Sequence, residues 1–312
     1  MFGFDLSTRD KLALIGGAIS FIIILYLGYV YTPKKRKVTG ALQTHARNGF
    51  LQVPMTKKIK VTHDTIILRF DLPEPDMRLG IDVGQHIEIY ERIVTKETPE
   101  GEEVYRKYTP ISKVDTKGSF DLLVKVYYPN VHPKFPEGGI MSQWLDKLNP
   151  GDKIRIRGPL GFLTYYGLGK VIVNKPDQKI NKQYKSIGLV GGGTGITPLY
   201  QIMKEVRDNP ADKTKVYLLF ANKSVDDILM KEELEQFMAD DRFKISFTLD
   251  KAPATGWNGF EGFVNADMLQ KSMPAPGKDV LICQCGPPMM NKLVTGLLTT
   301  MGYSKNDMYT FQ

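Results

Sequence analysis

The chain changes rhythm at about Gln183, and that change limits its fold more than any other feature. Before it, "KIKVTHDTIILRFDL", "QHIEIYERI", "FDLLVKVYY" and "KIRIRGPLG" alternate apolar and polar residues, carry β-branched and aromatic side chains, and are separated by Pro and Gly. A period of two with that punctuation predicts a small antiparallel β-barrel or sandwich over residues 51–160. One helical insert interrupts it, "GGIMSQWLDKLNPGD", with Ser142 expected as the N-cap and Asn149, Pro150 and Gly151 as the stop. After residues 161–182, read as an interdomain linker, "YKSIGLV", "GGGTGITPLYQIMKEVRD", "KVYLLFA", "MKEELEQFMAD", "FKISFTLD" and "DVLICQCG" alternate strand and helix. This predicts an α/β domain over 183–312, with a parallel, Rossmann-like sheet that binds ligands at the carboxyl ends of its strands.

Upstream of both domains, after a short tail (1–11), Leu12 to Thr32 carries no charge over 21 residues. At about 1.5 Å per residue this makes about 30 Å of helix, enough to span a bilayer. A transmembrane anchor at 12–32 followed by a linker at 33–50 is the expectation. The rival, a cleaved signal peptide, lacks a small-x-small site in "GYVYTPKKRK". Lys34, Lys35, Arg36 and Lys37 follow the segment, against Arg9 and Lys11 before it, so the large C-terminal part is expected on the cytosolic side. The formal net charge of +8 favours an anionic partner. Nucleic acid is not expected, since the cations are scattered without an aromatic-basic module. The two cysteines, Cys283 and Cys285, lie one residue apart, a spacing that suits neither a disulfide framework nor a structural zinc site, and no metal is expected.

Three stretches carry candidate chemistry. Gly191, Gly192, Gly193 and Gly195 follow a buried strand, with Thr197 as a candidate N-cap and Pro198 as the first helical residue. Such a turn lets backbone amides approach a pyrophosphate, and it equally serves a tight crossing with no ligand. The standard G-x-G-x-x-G spacing fails at Pro198, and no Gly-Lys-Ser/Thr ending of a P-loop is present. "CGPPMM" places the Cys285 thiol at a strand's carboxyl end, either against a bound ring or as a small buried hydrophobe; Met289 and Met290 read as core. "RKYTPIS" gathers a cation (Arg106), a phenol (Tyr108) and two hydroxyls (Thr109, Ser112), suited to a flat anionic ligand or simply to an exposed strand and turn. The helix start at Gly138, Gly139, Met141 and Ser142 offers free amides to the same anion. His86 could orient a ligand or serve structure, and His132 reads as a loop residue.

Taken together, "VGQHIEI", "RKYTPIS", "LVKVYYPNVHPKFPEGGIMSQWL", "IRGPLGFL", "GLVGGGTGITPLYQIM", "LLFANKSVDDIL", "FTLDKAP" and "CGPPMM" resemble the ferredoxin-reductase-like flavoproteins, and within them the NADH-cytochrome b5 reductase branch. The resemblance implies FAD on the barrel and NADH on the α/β domain. Arg106 would bind the flavin pyrophosphate together with Gly139, Met141 and Ser142. Tyr108, Thr109, Ser112, Val124 and Tyr127 would line the flavin site, Thr197 would touch it from the second domain, and His86 would orient it. Lys125 would reach toward NADH, Gly192, Gly193 and Gly195 would line its pyrophosphate, and Cys285, Gly286 and Pro287 would face its nicotinamide. Thr109, His86, Cys285 and Lys125 are the residues expected nearest the chemistry.

Asp250 would hydrogen-bond the adenosine ribose and repel a 2'-phosphate, whereas Lys223 could tolerate one, so NADH preference with some use of NADPH is expected. The implied reaction passes hydride from NADH to FAD and then single electrons to cytochrome b5, an acidic haem protein. A quinone, a ferric chelate or another haem protein is the alternative acceptor; a tethered FAD or NADH-binding module without turnover is the alternative of another class. The anchor would lie in the endoplasmic reticulum or the mitochondrial outer membrane. Phe311 precedes the terminus where related chains commonly end on an aromatic, which leaves its stacking role open.

Overall fold

The computed structural model describes residues 39–95, 98–131 and 135–311. The apolar stretch Leu12–Thr32 and His132 lie outside them, and among the described residues no helix is long and apolar enough to cross a membrane.

The N-terminal lobe comprises helix α1 (Ala41–Thr44), strands β1 (Leu51–Lys60), β2 (Thr65–Asp71), β3 (His86–Ile93), β4 (Glu102–Tyr108) and β5 (Ser119–Lys125), helix α2 (Ile140–Asp146) and strand β6 (Lys153–Leu160). The strands pair antiparallel in the order β4-β3-β6-β1-β2-β5. Strand β1 pairs with β6 through Leu51–Pro54 and with β2 from Met55 onward, and its register shifts between Met55 and Lys57. A second shift lies between His86 and Glu88. Such bulges bend a strand and increase its twist, so the sheet curls into a half-barrel. The period-two alternation sends Val53, Met55, Leu68, Phe70, Ile87, Ile89, Leu122 and Ile156 inside, where Phe70 stacks on Phe120 at 5.4 Å. Part of the expected linker belongs to this lobe, because Ala41 and Leu42 are buried in its core.

Residues 161–182, expected as a connection, also fold. Strands β7 (Leu163–Tyr165), β8 (Lys170–Asn174) and β9 (Lys179–Gln183) form an antiparallel meander. The buried carboxylate of Asp212 ties it to the next domain, accepting from Tyr165 Oη at 2.5 Å and the Leu168 amide at 2.7 Å.

The C-terminal lobe follows as β10 (Ser186–Gly192), α3 (Ile196–Asp208), β11 (Lys215–Asn222), α4 (Lys231–Phe237), β12 (Phe243–Leu249), β13 (Phe260–Glu261), α5 (Ala266–Ser272), β14 (Val280–Cys285), α6 (Pro288–Thr300) and β15 (Met308–Thr310). Its six strands are parallel in the order β13-β12-β11-β10-β14-β15.

Two helix starts differ from expectation. A single 3-10 turn at Gly193–Gly195 precedes α3, which makes Gly195 the N-cap and puts Thr197 inside the first turn, its Oγ1 donating back to Thr194 O at 3.2 Å. Pro198 is tolerated there because the first-turn amides have no helical acceptor. Helix α2 starts after Gly139, so Ser142 is not the cap; its hydroxyl donates to Gly139 O and accepts from the Tyr127 amide.

Candidate functional site

Strand order in the parallel sheet reverses at β10, with β11–β13 on one side and β14–β15 on the other. A reversal of this kind opens a crevice at the carboxyl ends of the central strands. Here the crevice is closed down to backbone contact by glycine. A Cβ on Gly195 would lie 2.0 Å from Cys285 O, and one on Gly192 3.0 Å from Pro287 Cδ. Gly193 differs, because its φ is +53° and a Cβ there would meet nothing within 4 Å. Gly192 and Gly195 are therefore required by packing, while Gly193 borders open space.

Cys285 flanks the turn in register with Gly191. Burial pushes its thiol up to about 12, so it is neutral near pH 7 and offers a polarizable surface rather than a nucleophile. Gly286 and Pro287 follow at the start of α6, and the buried Cys283 thiol is raised in the same way. Met289, expected in the core, is exposed, since it stands on the outer side of the first turn of α6, while Met290 packs partly against the core. On the other flank, the Asp250 amide donates to Asn222 O at 2.9 Å, joining the ends of β11 and β12. Burial raises the Asp250 carboxyl despite the nearby Lys223 ammonium, with Asp227 adding to the rise.

On the half-barrel, Tyr108 stands opposite Ile87 and Arg106 opposite Ile89, so both share the face that continues the interior. Burial raises the Tyr108 phenol, with Arg106 pulling it down and Tyr127 pushing it up, which places all three in one electrostatic neighbourhood. The Tyr108 and Thr109 hydroxyls bond none of the described residues, and Arg106 donates to Tyr105 O at 2.7 Å. Ser142 joins this group through the Tyr127 amide at 3.1 Å. Gly139 donates to Tyr127 O at 2.8 Å, and a Cβ on it would lie 2.6 Å from Ser142 Oγ. Met141 and Val124 are buried in the lobe's core. Ser112 stands apart, its hydroxyl accepting from the Asp121 amide of β5 at 3.2 Å.

His86 opens β3 one residue before Ile87. It lines a cavity of about 170 Å³ with Glu88, Lys107, Phe162, Lys175 and Phe311, whereas its neighbour Ile87 is the residue that faces Tyr108. Burial, then the Lys107 charge, holds the imidazole down to about 4 against the pull of Glu88. Phe311 is buried beside it, edge-on to Tyr309 at 4.9 Å, and its backbone amide donates a hydrogen bond to Gln284 O.

The two lobes meet here. Strand β5 comes against the Gly193–Gly195 turn, and its terminal residue Lys125 spans the boundary, with Nζ 2.6 Å from Asp64 Oδ2 and 3.2 Å from Asp227 Oδ1. Gln201 of α3 is buried between the lobes, accepting from the Gly84 amide at 2.9 Å and donating to Pro110 O at 3.0 Å. Lys113 pairs with Asp208 at 2.6 Å. Sequence reasoning missed Gln201, Asp64 and Asp227, because each acts on a residue about 60 to 120 positions away. The one signal available was the polar Gln201 within the apolar run of α3.

Residues 52–165 match the oxidoreductase FAD-binding domain family and residues 189–295 the oxidoreductase NAD-binding domain family. NADH-cytochrome b5 reductase 2 of Xenopus laevis is 42% identical over 96% of this chain and 99% of that protein. NADH-cytochrome b5 reductase 3 of Rattus norvegicus is 45% identical over 80% of this chain and 83% of the other. Among solved structures, the cytochrome b5 reductase domain of Ulva prolifera nitrate reductase superposes with a TM-score of 0.79 at 37% identity, covering 84% of this chain and 97% of that domain. A half-barrel and a parallel-sheet lobe meeting at one crevice, each matched by its own cofactor-domain family, are thus joined by identity that runs through both: the chain is an FAD- and NADH-dependent oxidoreductase of the NADH-cytochrome b5 reductase family.

Proposed function

We propose that the protein is a membrane-anchored reductase that takes electrons from NADH and delivers them singly to cytochrome b5. The observation that carries this reading is the contact of β5, the strand that leads into Tyr127, with the glycine turn at the switch point of the other lobe. Bound FAD supplies the conversion of a two-electron donation into one-electron steps.

The residues fit both groups. Arg106 offers the fork of donors that pyrophosphate takes, and Gly139 packs against Ser142, where a Cβ would lie 2.6 Å from its hydroxyl. The Tyr108 and Thr109 hydroxyls, unpartnered among the described residues, are available to a flavin. Burial keeps the Tyr108 phenol protonated, so it donates. In this reading Val124, Lys125, Tyr127 and Thr197 would border the flavin, and Ser112 supports the site by accepting from the Asp121 amide of β5. Across the crevice, the amides of Gly192, Gly193 and Gly195 serve the NADH pyrophosphate. Cys285, Gly286 and Pro287 form an uncharged wall for the nicotinamide, which hydride transfer needs dry and aligned. Asp250 discriminates at the adenosine ribose. Steady-state kinetics with both dinucleotides test it: NADH is used better than NADPH, Asp250→Ala narrows the ratio, and an equal kcat/KM for NADPH in the unaltered enzyme removes this role.

Leu12–Thr32 is the anchor, and the four cations after it hold the catalytic lobes at the cytosolic face of the endoplasmic reticulum or the mitochondrial outer membrane. Alkaline extraction retains an anchored chain in the pellet; release into the supernatant contradicts the anchor. The net charge of +8 supports docking on an acidic haem protein. The deciding experiment is an anaerobic NADH titration followed by mixing with oxidised cytochrome b5. The yellow protein bleaches and then reduces the cytochrome, more slowly as salt rises. Bleaching without cytochrome reduction refutes the acceptor, and a rate flat in ionic strength refutes the steering.

A further inference from the structure

Asn222 ends β11 at the carboxyl edge of the parallel sheet and is only 6% exposed. Neither its Nδ2 nor its Oδ1 has a hydrogen-bond partner among the described residues. A buried amide left unpaired on both sides opposes folding, because two polar atoms lose water and gain nothing. Its position shows what could compensate. Val216, Leu218 and Phe220 alternate onto the sheet face that packs α3, and Asn222 continues that row. In the parallel register, Gly191 stands level with Phe220 and with Cys285, so Asn222 lies one step further toward the open end, level with Gly193. That is the glycine whose Cβ position borders open space. On its other side Asn222 pairs with Leu249, and its carbonyl accepts the Asp250 amide.

We infer that Asn222 is a dinucleotide-binding residue whose carboxamide takes the vicinal hydroxyls of the adenosine ribose. The inference rests on the reading of the glycine turn as the NADH site and adds the group that is recognised there. A pyrophosphate only accepts, and it would leave Oδ1 unpaired. The partner must accept from Nδ2 and donate to Oδ1, which a ribose diol does. A nicotinamide carboxamide does so as well, but the nicotinamide wall at Cys285 lies across β10, on the opposite side of the glycine turn from Asn222. With Asp250 adjacent, one diol meets a carboxamide and a carboxylate from neighbouring strand ends.

The test uses the FAD-loaded enzyme and two donors, NADH and reduced nicotinamide mononucleotide, which lacks the AMP half. In Asn222→Leu, the ratio of kcat/KM for NADH to that for the mononucleotide falls about five- to tenfold, as expected for loss of a neutral hydrogen bond or two. The inhibition constant of ADP-ribose rises by a similar factor, and Tm stays level or rises, since an unpaired amide gives way to an apolar side chain. Asn222→Asp, which keeps the size and loses the donor, lowers the same ratio. An unchanged donor ratio in both variants overturns the inference, and with a fallen Tm it marks Asn222 as structural. Failure of the underlying reading gives a different result: Gly195→Ala then leaves flavin reduction by NADH intact.

Discussion

Replacing Lys125 by methionine removes the lysine charge between Asp64 and Asp227 and leaves two carboxylates facing each other across the lobe boundary, with the His63 imidazole beside them. The three side chains are 14–16% exposed, and an oxygen of each carboxylate lies within 4.8 Å of the other. Two unit charges about 5 Å apart repel by about 3 kcal/mol at an effective dielectric constant of 20. The lost charge-assisted hydrogen bonds act in the same direction, and solvent screening and relaxation against it, so a loss of about 2–4 kcal/mol is expected at pH 7. For a protein of this size that lowers Tm by about 5–10 °C. The pH dependence identifies the cause. Burial raises both carboxyls, but the hydrogen bonds, to Lys125 for Asp64 and to Ser224 and Lys125 for Asp227, more than offset it, so both are held below the usual carboxylate range. Their stabilisation in the native enzyme is therefore present above the unfolded carboxylate pKa and is lost as pH falls through the depressed folded values. In the variant the carboxyls rise, and protonation relieves the repulsion. The Tm gap between native enzyme and Lys125→Met, followed by circular dichroism and flavin fluorescence, narrows from pH 7 to pH 4.5. Adding Asp227→Asn to the variant recovers part of the loss. A Tm within 1 °C of the native value at pH 7, or a gap that widens in acid, refutes the clasp.

His86 binds a proton more weakly when folded, at about 4, than when unfolded, at about 6.5. Its contribution is thus complete above the unfolded value and lost between about pH 6.5 and 4, some 3 kcal/mol in all; His86→Gln flattens the Tm profile over that window, and parallel profiles contradict the assignment. Gly195→Ala drives a Cβ into the Cys285 carbonyl and abolishes rapid flavin reduction by NADH while FAD stays bound, as stopped-flow absorbance will show. Gly193→Ala meets open space and costs only the positive-φ penalty of about 1–2 kcal/mol, so equal destabilisation by the two substitutions rejects the packing argument. Cys285 resists iodoacetamide at pH 7.5 in the folded enzyme and reacts once unfolded, given a thiol raised to about 12; mass spectrometry showing stoichiometric native labelling disproves its burial.

Legibility in the sequence followed the range of the physics. The two lobes were readable because periodicity is a local property: Ile87 and Ile89 alternate inward, and Ile187, Leu189 and Gly191 mark one face of a strand buried on both sides. The meander at 161–182 escaped, since its strands are three to five residues long and are held by Asp212 from the next lobe. The helix starts were misplaced by two or three residues, because Gly195 and Gly139 cap through backbone geometry that carries no side-chain sign. At the site, Arg106, Tyr108 and the glycines were legible as types suited to a ligand. Their partners were not, because Lys125 meets Asp227 across 102 residues, Gln201 meets Gly84 across 117, and the Asn222 carboxamide has no hydrogen-bond partner among the described residues. A glycine declares its role through its own backbone, and a buried polar side chain declares its role only through what satisfies it. An unsatisfied one is therefore informative in the folded chain alone, where its burial fixes the cost and its register fixes the direction from which the missing partner must arrive.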